Sequence, residues 1–212
     1  MSKQIITISR QCGSGGHTIG SKVAERLNIP FYDREILKLV AERSGLTEET
    51  IKEQGEYATH SRLHTLSLNI SRGYNLSDRG TMVLPDQIFA YQTEIIKELA
   101  EKGSCVIVGR CADTILQDDP DCFNVFIHGN IDDRRDRVIR EHGVPEKDAV
   151  THVLDRDRKR SQHYKFYTDK VWGMAQNYHL CLDSSFWGID GCVDLIVSQV
   201  RKHLEQQDQP SD

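Results

Sequence analysis

Residues 5–20 read IITISRQCGSGGHTIG: an apolar run, a glycine-rich turn, then the opening of an amphipathic helix. A strand that passes through glycines into a helix has the chemistry of a phosphate site. Glycines let the backbone curl with its N–H groups turned inward, and the helix adds the positive end of its dipole. The stretch departs from the G-x-x-x-x-G-K-[ST] formula at its charged position. With Gly15 on the second glycine of the formula, Arg10 falls on the first and Gly16 on the lysine, followed by His17 and Thr18. The loop's shape is present and its lysine is missing. Gly13, Ser14, Gly15, Gly16, His17 and Thr18 are the expected phosphate-binding residues, with Thr18 the hydroxyl for Mg²⁺ on the first helical turn. The positive charge must then come from Arg10, His17 or a distant arginine. A neutral His17 cannot act as a fixed charge at pH 7.

Outward from this stretch the same alternation recurs. Ile19, Val23 and Leu27 share one face of a helix expected over Thr18–Leu27. Asn28–Asp33 reads as a turn and a short strand. Asp33 has two readings: the N-cap of a helix ending near Gly45, with Ile36, Leu37, Leu39 and Val40 inward, or a carboxylate beside an acceptor oxygen or metal-bound water. Another helix opens at Thr47, and Asp86–Lys102 is a helix stopped by Gly103. Cys105–Val108 and Asn124–His128 are continuous apolar strands of the kind buried inside a parallel sheet, and Tyr178–Leu182 is the last strand. Asp132 is expected to cap a helix carrying Arg134, Arg135, Arg137 and Arg140. Pro145 starts a long helix through HVLDRDRKRSQ, and Asp190 caps a closing helix with Val193, Ile196, Val197, Val200 and Leu204 inward.

Strands alternating with helices predict an α/β domain whose parallel sheet is covered on both faces, with ligands at the carboxyl ends of the strands. That rim gathers the glycine loop, Asp33, Arg110 and Asp183–Ser185. The expected domain spans residues 1–204. Tyr57–Pro85, rich in Ser, Arg, His and Asn, reads as an inserted mobile segment, and residues 205–212 as a disordered tail.

The chain has 212 residues, a net charge of -5 and no apolar run of membrane-spanning length. The acidic balance argues against a nucleic-acid binder, and the polar opening lacks a signal-peptide core, so a cytosolic protein acting on small molecules is expected. Its six cysteines form no C-x-x-C pair and read as reduced, mostly buried thiols. Cys12 is set apart by its place in the loop, as a candidate for oxidation. Against the acidic background, residues 156–170 hold six basic residues and two acidic, a balance of +4. Arg156 and Arg160 are four apart on one helix face. Arginines closing over a transferring phosphoryl group would neutralise its equatorial oxygens and exclude water. Tyr164, Tyr167 and Trp172 are expected to pack the loop that returns this helix to the sheet.

ISRQCGSGGHTIG, FYDREIL, CVIVGRCADTIL and TDKVWGMAQNYHLCLDSS together resemble the cytidylate kinase-like family of P-loop proteins, over nearly the whole chain short of the tail. That family is similar to bacterial cytidylate kinases. The resemblance implies a three-layer P-loop kinase fold with a central parallel sheet, a helical substrate-binding insert over about 47–85 and an arginine-rich helical lid over about 132–170. It implies transfer of the ATP γ-phosphate to CMP or dCMP with Mg²⁺. It assigns Gly13, Gly15 and Thr18 to the phosphate loop, Asp33 to the aspartate after the second strand, and Arg110 to the substrate phosphate. Arg156, Asp157 and Arg160 match the Arg-Asp-Arg-x-Arg lid motif, and Asp183 and Ser184 the loop near adenine. This chain departs from the pattern at Gly16 for lysine, at Cys111 for the aspartate after Gly-Arg (Asp113 follows two residues later, on the acceptor side), and at Leu39 for an arginine. A nucleotide-binding regulatory protein without catalysis and a kinase for a different metabolite remain as alternatives. Oligomeric state is left open.

Overall fold

The structure is a computed structural model that describes residues 3–55 and 83–207. The inserted segment read from Tyr57–Pro85 and the end of the tail therefore lie almost wholly outside the described residues. Five strands are present among the described residues: β1 (Ile5–Arg10), β2 (Phe31–Tyr32), β3 (Cys105–Val108), β4 (Cys122–His128) and β5 (Leu180–Asp183). Eight described α-helices accompany them: α1 (Gly16–Leu27), α2 (Glu35–Ser44), α3 (Glu48–Gly55), α4 (Leu84–Lys102), α5 (Ala112–Ile115), α6 (Ile131–His142), α7 (Glu146–Thr168) and α8 (Ser184–Gln207). The sheet is parallel throughout, in the order β2-β3-β1-β4-β5. The strand carrying the glycine loop is thus the central one.

The alternation of side chains along β1 builds a three-layer fold. Ile6 and Ile8 join Val106, Val108, Val125 and Ile127 under α1 and α8, through Ile19, Val23, Val193, Ile196 and Val200. Ile5 and Ile107 face the opposite way, under α2, α3 and α4, through Ile36, Val40, Ile51, Ile88, Ile95 and Ile96. A separate small cluster of Cys12, Val138, Ala149 and Val153 seats α6 and α7 on the glycine loop. None of the described helices is long and apolar enough to cross a membrane.

Two expected helix caps move. Asp33 does not cap α2: the cap position is Arg34, with no side-chain hydrogen bond, because the Asp33 carboxylate is drawn to Arg10 and His17. Asp132 does not cap α6. Asn130 does, its Oδ1 accepting from the Asp133 N–H at 2.8 Å, and the exposed Asp132 pairs with Arg135 instead. The closing stretch Ser184–Gln207 is two helices broken at Gly188 (φ 67°, ψ 177°), so its long second part opens within two residues of Asp190, as expected, and the exposed Asp190 carboxylate lies 2.7 Å from Lys22. That helix also runs to Gln207, two residues beyond the expected start of the tail; nothing is described of the Leu204 side chain. Asn130→Ala is expected to cost about 1 kcal/mol of stability and Asp132→Ala less than about half of that. Urea unfolding of the two variants checks the order, and a reversed order would return the cap to Asp132.

Candidate active site

The glycine loop leaves β1 with Gln11 N–H bonded to the Ile127 carbonyl and enters α1 at Gly16. Gly13 and Gly15 both have positive φ, 75° and 79°, which L side chains reach only with strain. Gly13 has a second reason: any Cβ there would overlap the Arg134 carbonyl. Arginines take three carbonyls of the loop and of the strand end before it. Arg134 Nε donates to the Cys12 carbonyl at 2.8 Å, Arg137 Nη1 to Gly13 at 2.6 Å, and Arg160 Nη1 to Arg10 at 2.9 Å. Asp157 accepts the Cys12 N–H at 2.7 Å and pairs with the buried Arg134 through its other oxygen. The first turns of the loop are thereby clamped by α6 and α7. Arg134 and Arg137 are three apart, so one face of α6 meets the loop while Arg135 and Arg140 pair with acids at the surface.

The cleft beside the loop lies at the carboxyl ends of β1 and β3. It is open to solvent and lined by Ser9, Arg10, Asp33, Gln92, Arg110 and neighbours that include Arg156, Lys159, Arg160 and His163. Among the described residues five cations face it, and Asp33 is its one carboxylate. Asp33 Oδ2 accepts from His17 Nδ1 at 2.6 Å, and Oδ1 is 3.8 Å from Arg10. Arg110 donates to Gln92 Oε1 at 3.0 Å and reaches the Asp33 carbonyl at 3.4 Å. Its backbone is left-handed (φ 60°), as are Gly109 before it (75°) and Cys111 after it (56°). Left-handed conformations at non-glycine residues are strained, and this pair aims Arg110 inward at the strand end.

Of the residues expected from the sequence, Asp33, Arg110, Arg156 and Arg160 meet in this cleft. Asp157 braces the loop instead of facing the cleft. Asp113 lies behind the wall. It is buried, accepts from Tyr164 Oη at 2.6 Å, and its second oxygen has no partner among the described residues. Burial pushes its carboxyl up, with Tyr164 opposing. Cys111, where the resembled family has an aspartate, is also buried, and burial raises its thiol. Leu39 packs against the core beneath α4. Cys12 is buried too, and burial raises its thiol, which removes the basis for an activated thiolate. Asp183 Oδ1 accepts from the Ser185 N–H and Ser184 Oγ donates to the His128 carbonyl, so both fix the β5–α8 corner. Tyr164 and Tyr167 lie within α7 rather than in the returning loop and cluster with Phe89 of α4; of the three aromatics expected in that loop Trp172 is in it, edge-on to Phe126 of β4.

Gln92, Lys159 and His163 were not singled out by sequence. Gln92 had a signal: it interrupts the apolar stripe Ile88–Ile96 at a four-residue step. His163 had none. Its ring lies beside Tyr167 and Phe89 at 4.8 and 6.0 Å. Burial, then the charge of Arg110, push it down to about 4, so it is neutral at pH 7. No cluster of three or more His, Cys, Asp or Glu suited to a metal ion occurs among the described residues. Mg²⁺ held mainly by phosphates and water needs only one or two protein oxygens, and the Thr18 hydroxyl and Asp33 carboxylate fit that requirement.

A model of the cytidylate kinase-like family matches residues 5–186. The cytidylate kinase of Pyrococcus furiosus is 26% identical over 206 residues, covering 95% of this chain and 90% of that protein. That of Pyrococcus horikoshii is 24% identical over 208 residues, covering 96% and 91%. Among solved structures, an uncharacterized protein from Eubacterium ventriosum is 30% identical with a TM-score of 0.71, covering 95% of this chain and 99% of that one. A shikimate kinase from Bacteroides thetaiotaomicron, 17% identical with a TM-score of 0.54 over 94% of this chain and 99% of its own, shares the fold.

The depressed His163 has a readable consequence. An unfolded histidine titrates near about 6.5, and the folded ring near about 4. Between those values the unfolded chain binds more protons, so acid favours unfolding. The stability advantage of the wild type over His163→Gln should therefore be constant above about pH 7 and shrink from there to pH 4. Parallel curves of unfolding free energy against pH would contradict this.

Proposed function

The chain belongs to the cytidylate kinase-like family, and from that premise we propose that it is a cytosolic enzyme transferring the γ-phosphoryl group of ATP to a small acceptor, a nucleoside monophosphate with CMP or dCMP foremost. The observation that carries this reading is the cleft with, among the described residues, five cations and one carboxylate beside a glycine loop at the end of the central strand. A site so charged favours a polyanion, and phosphoryl transfer is catalysed chiefly by positioning and by cations over the transferring group.

In this reading the N–H groups of Gly13–Thr18 hold the ATP phosphates, and Asp183 and Ser184 shape the corner on the adenine side. Arg110, fixed by Gln92 and by the Asp33 carbonyl, takes the acceptor's phosphate. Asp33 orients or deprotonates the acceptor oxygen. Arg156 and Arg160 on α7 neutralise the charge that gathers on the transferring group, with α6 and α7 acting as the lid. Thr18 would help to hold Mg²⁺ brought in with the nucleotide, and the ion would supply charge neutralisation on its phosphates. Asp113, behind the wall, acts on the acceptor side through Tyr164.

ADP release measured with ATP, Mg²⁺ and a panel of nucleoside monophosphates should be fastest with CMP or dCMP. No turnover with any of them, from protein shown to be folded, refutes the acceptor claim. ATP binding without transfer to any acceptor would favour the regulatory alternative, which the glycine at position 16 motivates. Arg160→Ala is expected to lower turnover by about 100-fold while changing ATP affinity far less. Equal losses in both would assign Arg160 to uniform binding.

A further inference from the structure

Gly16 is buried in the first turn of α1. A Cβ built on it would lie 2.5 Å from Arg10 Cβ and 2.7 Å from Arg10 Cγ. Those atoms are the root of a side chain and cannot swing aside. The place of the missing lysine is therefore filled by the stem of Arg10, and an arginine at 10 excludes any side chain at 16. The exchange is reciprocal. The G-x-x-x-x-G-K formula has glycine first and lysine seventh; this chain has arginine first and glycine seventh.

From its root, Arg10 runs across the end of the sheet. Its Nη1 fills the space a Cβ on Gly109 would need, its Nη2 is 3.8 Å from Asp33 Oδ1, and its carbonyl is held by Arg160. The guanidinium lines the cleft with Arg110 and Arg160, and the side chain is 20% exposed. Burial, then the charge of Arg160, lower it to about 9, with Asp33 opposing. It stays charged at pH 7, desolvated among like charges, with one carboxylate nearby at 3.8 Å. A bound anion would satisfy that charge.

We propose that Arg10 supplies, from the first position of the glycine loop, the fixed charge on the ATP phosphates that a lysine would supply from the seventh. The inference rests on the phosphotransfer reading above. It assigns this role to Arg10 rather than to His17, whose ring nitrogen is engaged by Asp33, or to Arg160, whose Nη1 is engaged by the Arg10 carbonyl.

The test is a double-mutant cycle of wild type, Arg10→Gly, Gly16→Lys and the double variant, which restores the glycine first and the lysine seventh of the formula, with His17 still at its eighth position. Arg10→Met joins the set, because it keeps a stem against Gly16 and removes only the charge. Each protein is assayed for MgATP affinity by calorimetry, for ADP release with CMP, and for its thermal unfolding midpoint. Loss of one charge-assisted contact should weaken MgATP binding by about 10- to 100-fold in Arg10→Met and Arg10→Gly. Gly16→Lys alone should lose stability as well as affinity, through the clash with the Arg10 stem. The double variant should regain at least about tenfold in affinity over Arg10→Gly, a coupling that independent sites do not show. Arg10→Met binding MgATP within about twofold of the wild type would overturn the proposal. So would a folded double variant no better than Arg10→Gly. A wild type that binds MgATP without turning over any acceptor would sink the catalytic reading and leave this inference to the affinity arm. Turnover that is indifferent to Arg10→Met would do the reverse, and a wild type that does not bind MgATP would end both.

Discussion

The Asp157 carboxylate is the joint on which the candidate site depends. One oxygen takes the Cys12 N–H, the other pairs with Arg134, and Arg134 in turn holds the Cys12 carbonyl. One residue of the loop is thus gripped at both its backbone groups, by side chains from two helices. A buried ion pair is seldom a net gain in stability over apolar packing, but breaking one leaves an uncompensated charge in a low dielectric. The pair therefore commits α6 and α7 to one seating on the loop. The small apolar cluster of Cys12, Val138, Ala149 and Val153 beneath it supplies the hydrophobic part of the same contact.

This arrangement sorts the arginines. The carbonyls of the loop and of the strand end before it need donors where they are buried. Arg134, Arg137 and Arg160 are those donors. Arg10, Arg110, Arg156 and Lys159 line the cleft itself. Arg160 belongs to both sets: its position in the wall and its bond to the Arg10 carbonyl couple the placement of α7 to the placement of Arg10.

Much of this was legible in the sequence. The continuous apolar strands and the apolar stripes of α1, α4 and α8 pointed to a covered parallel sheet, and the rule that ligands sit at strand ends then gathered Asp33, Arg110 and the loop. What failed did so for identifiable reasons. Asp33 has the composition of an N-cap, but a cap is a local bond, and the opposite charges of distant Arg10 and His17 outcompeted it. Asp132 lost to Asn130 because the helix begins one residue before it, and helix boundaries are the least secure part of a pattern. Asp157 read as a lid residue because the resemblance carried it over with Arg156 and Arg160 in one motif, and those two do face the cleft; which way a carboxylate turns on a charged helix is set by its partner, and Arg134 lies 23 residues away. The Ser184 and Asp183 bonds to β4 and to the backbone were invisible for the same reason.

The two parts of a phosphate site tolerate change differently. N–H groups act over hydrogen-bond distances and lose their value with a small shift in angle, so the glycines that shape the cradle have little freedom, and Gly13 is held further by the Arg134 carbonyl that would meet its Cβ. Charge acts over longer distances, falling only inversely with separation. A cation can then be delivered from another backbone position if its head reaches the same volume. Sterics limit where that position can be. In this fold the first and seventh residues of the loop touch at their roots, so the site has room for one long side chain between them. Arg10 and Gly16 are then a single choice, and a sequence formula that tests only the seventh position registers the lysine as lost while a charge is still delivered to the same end of the sheet.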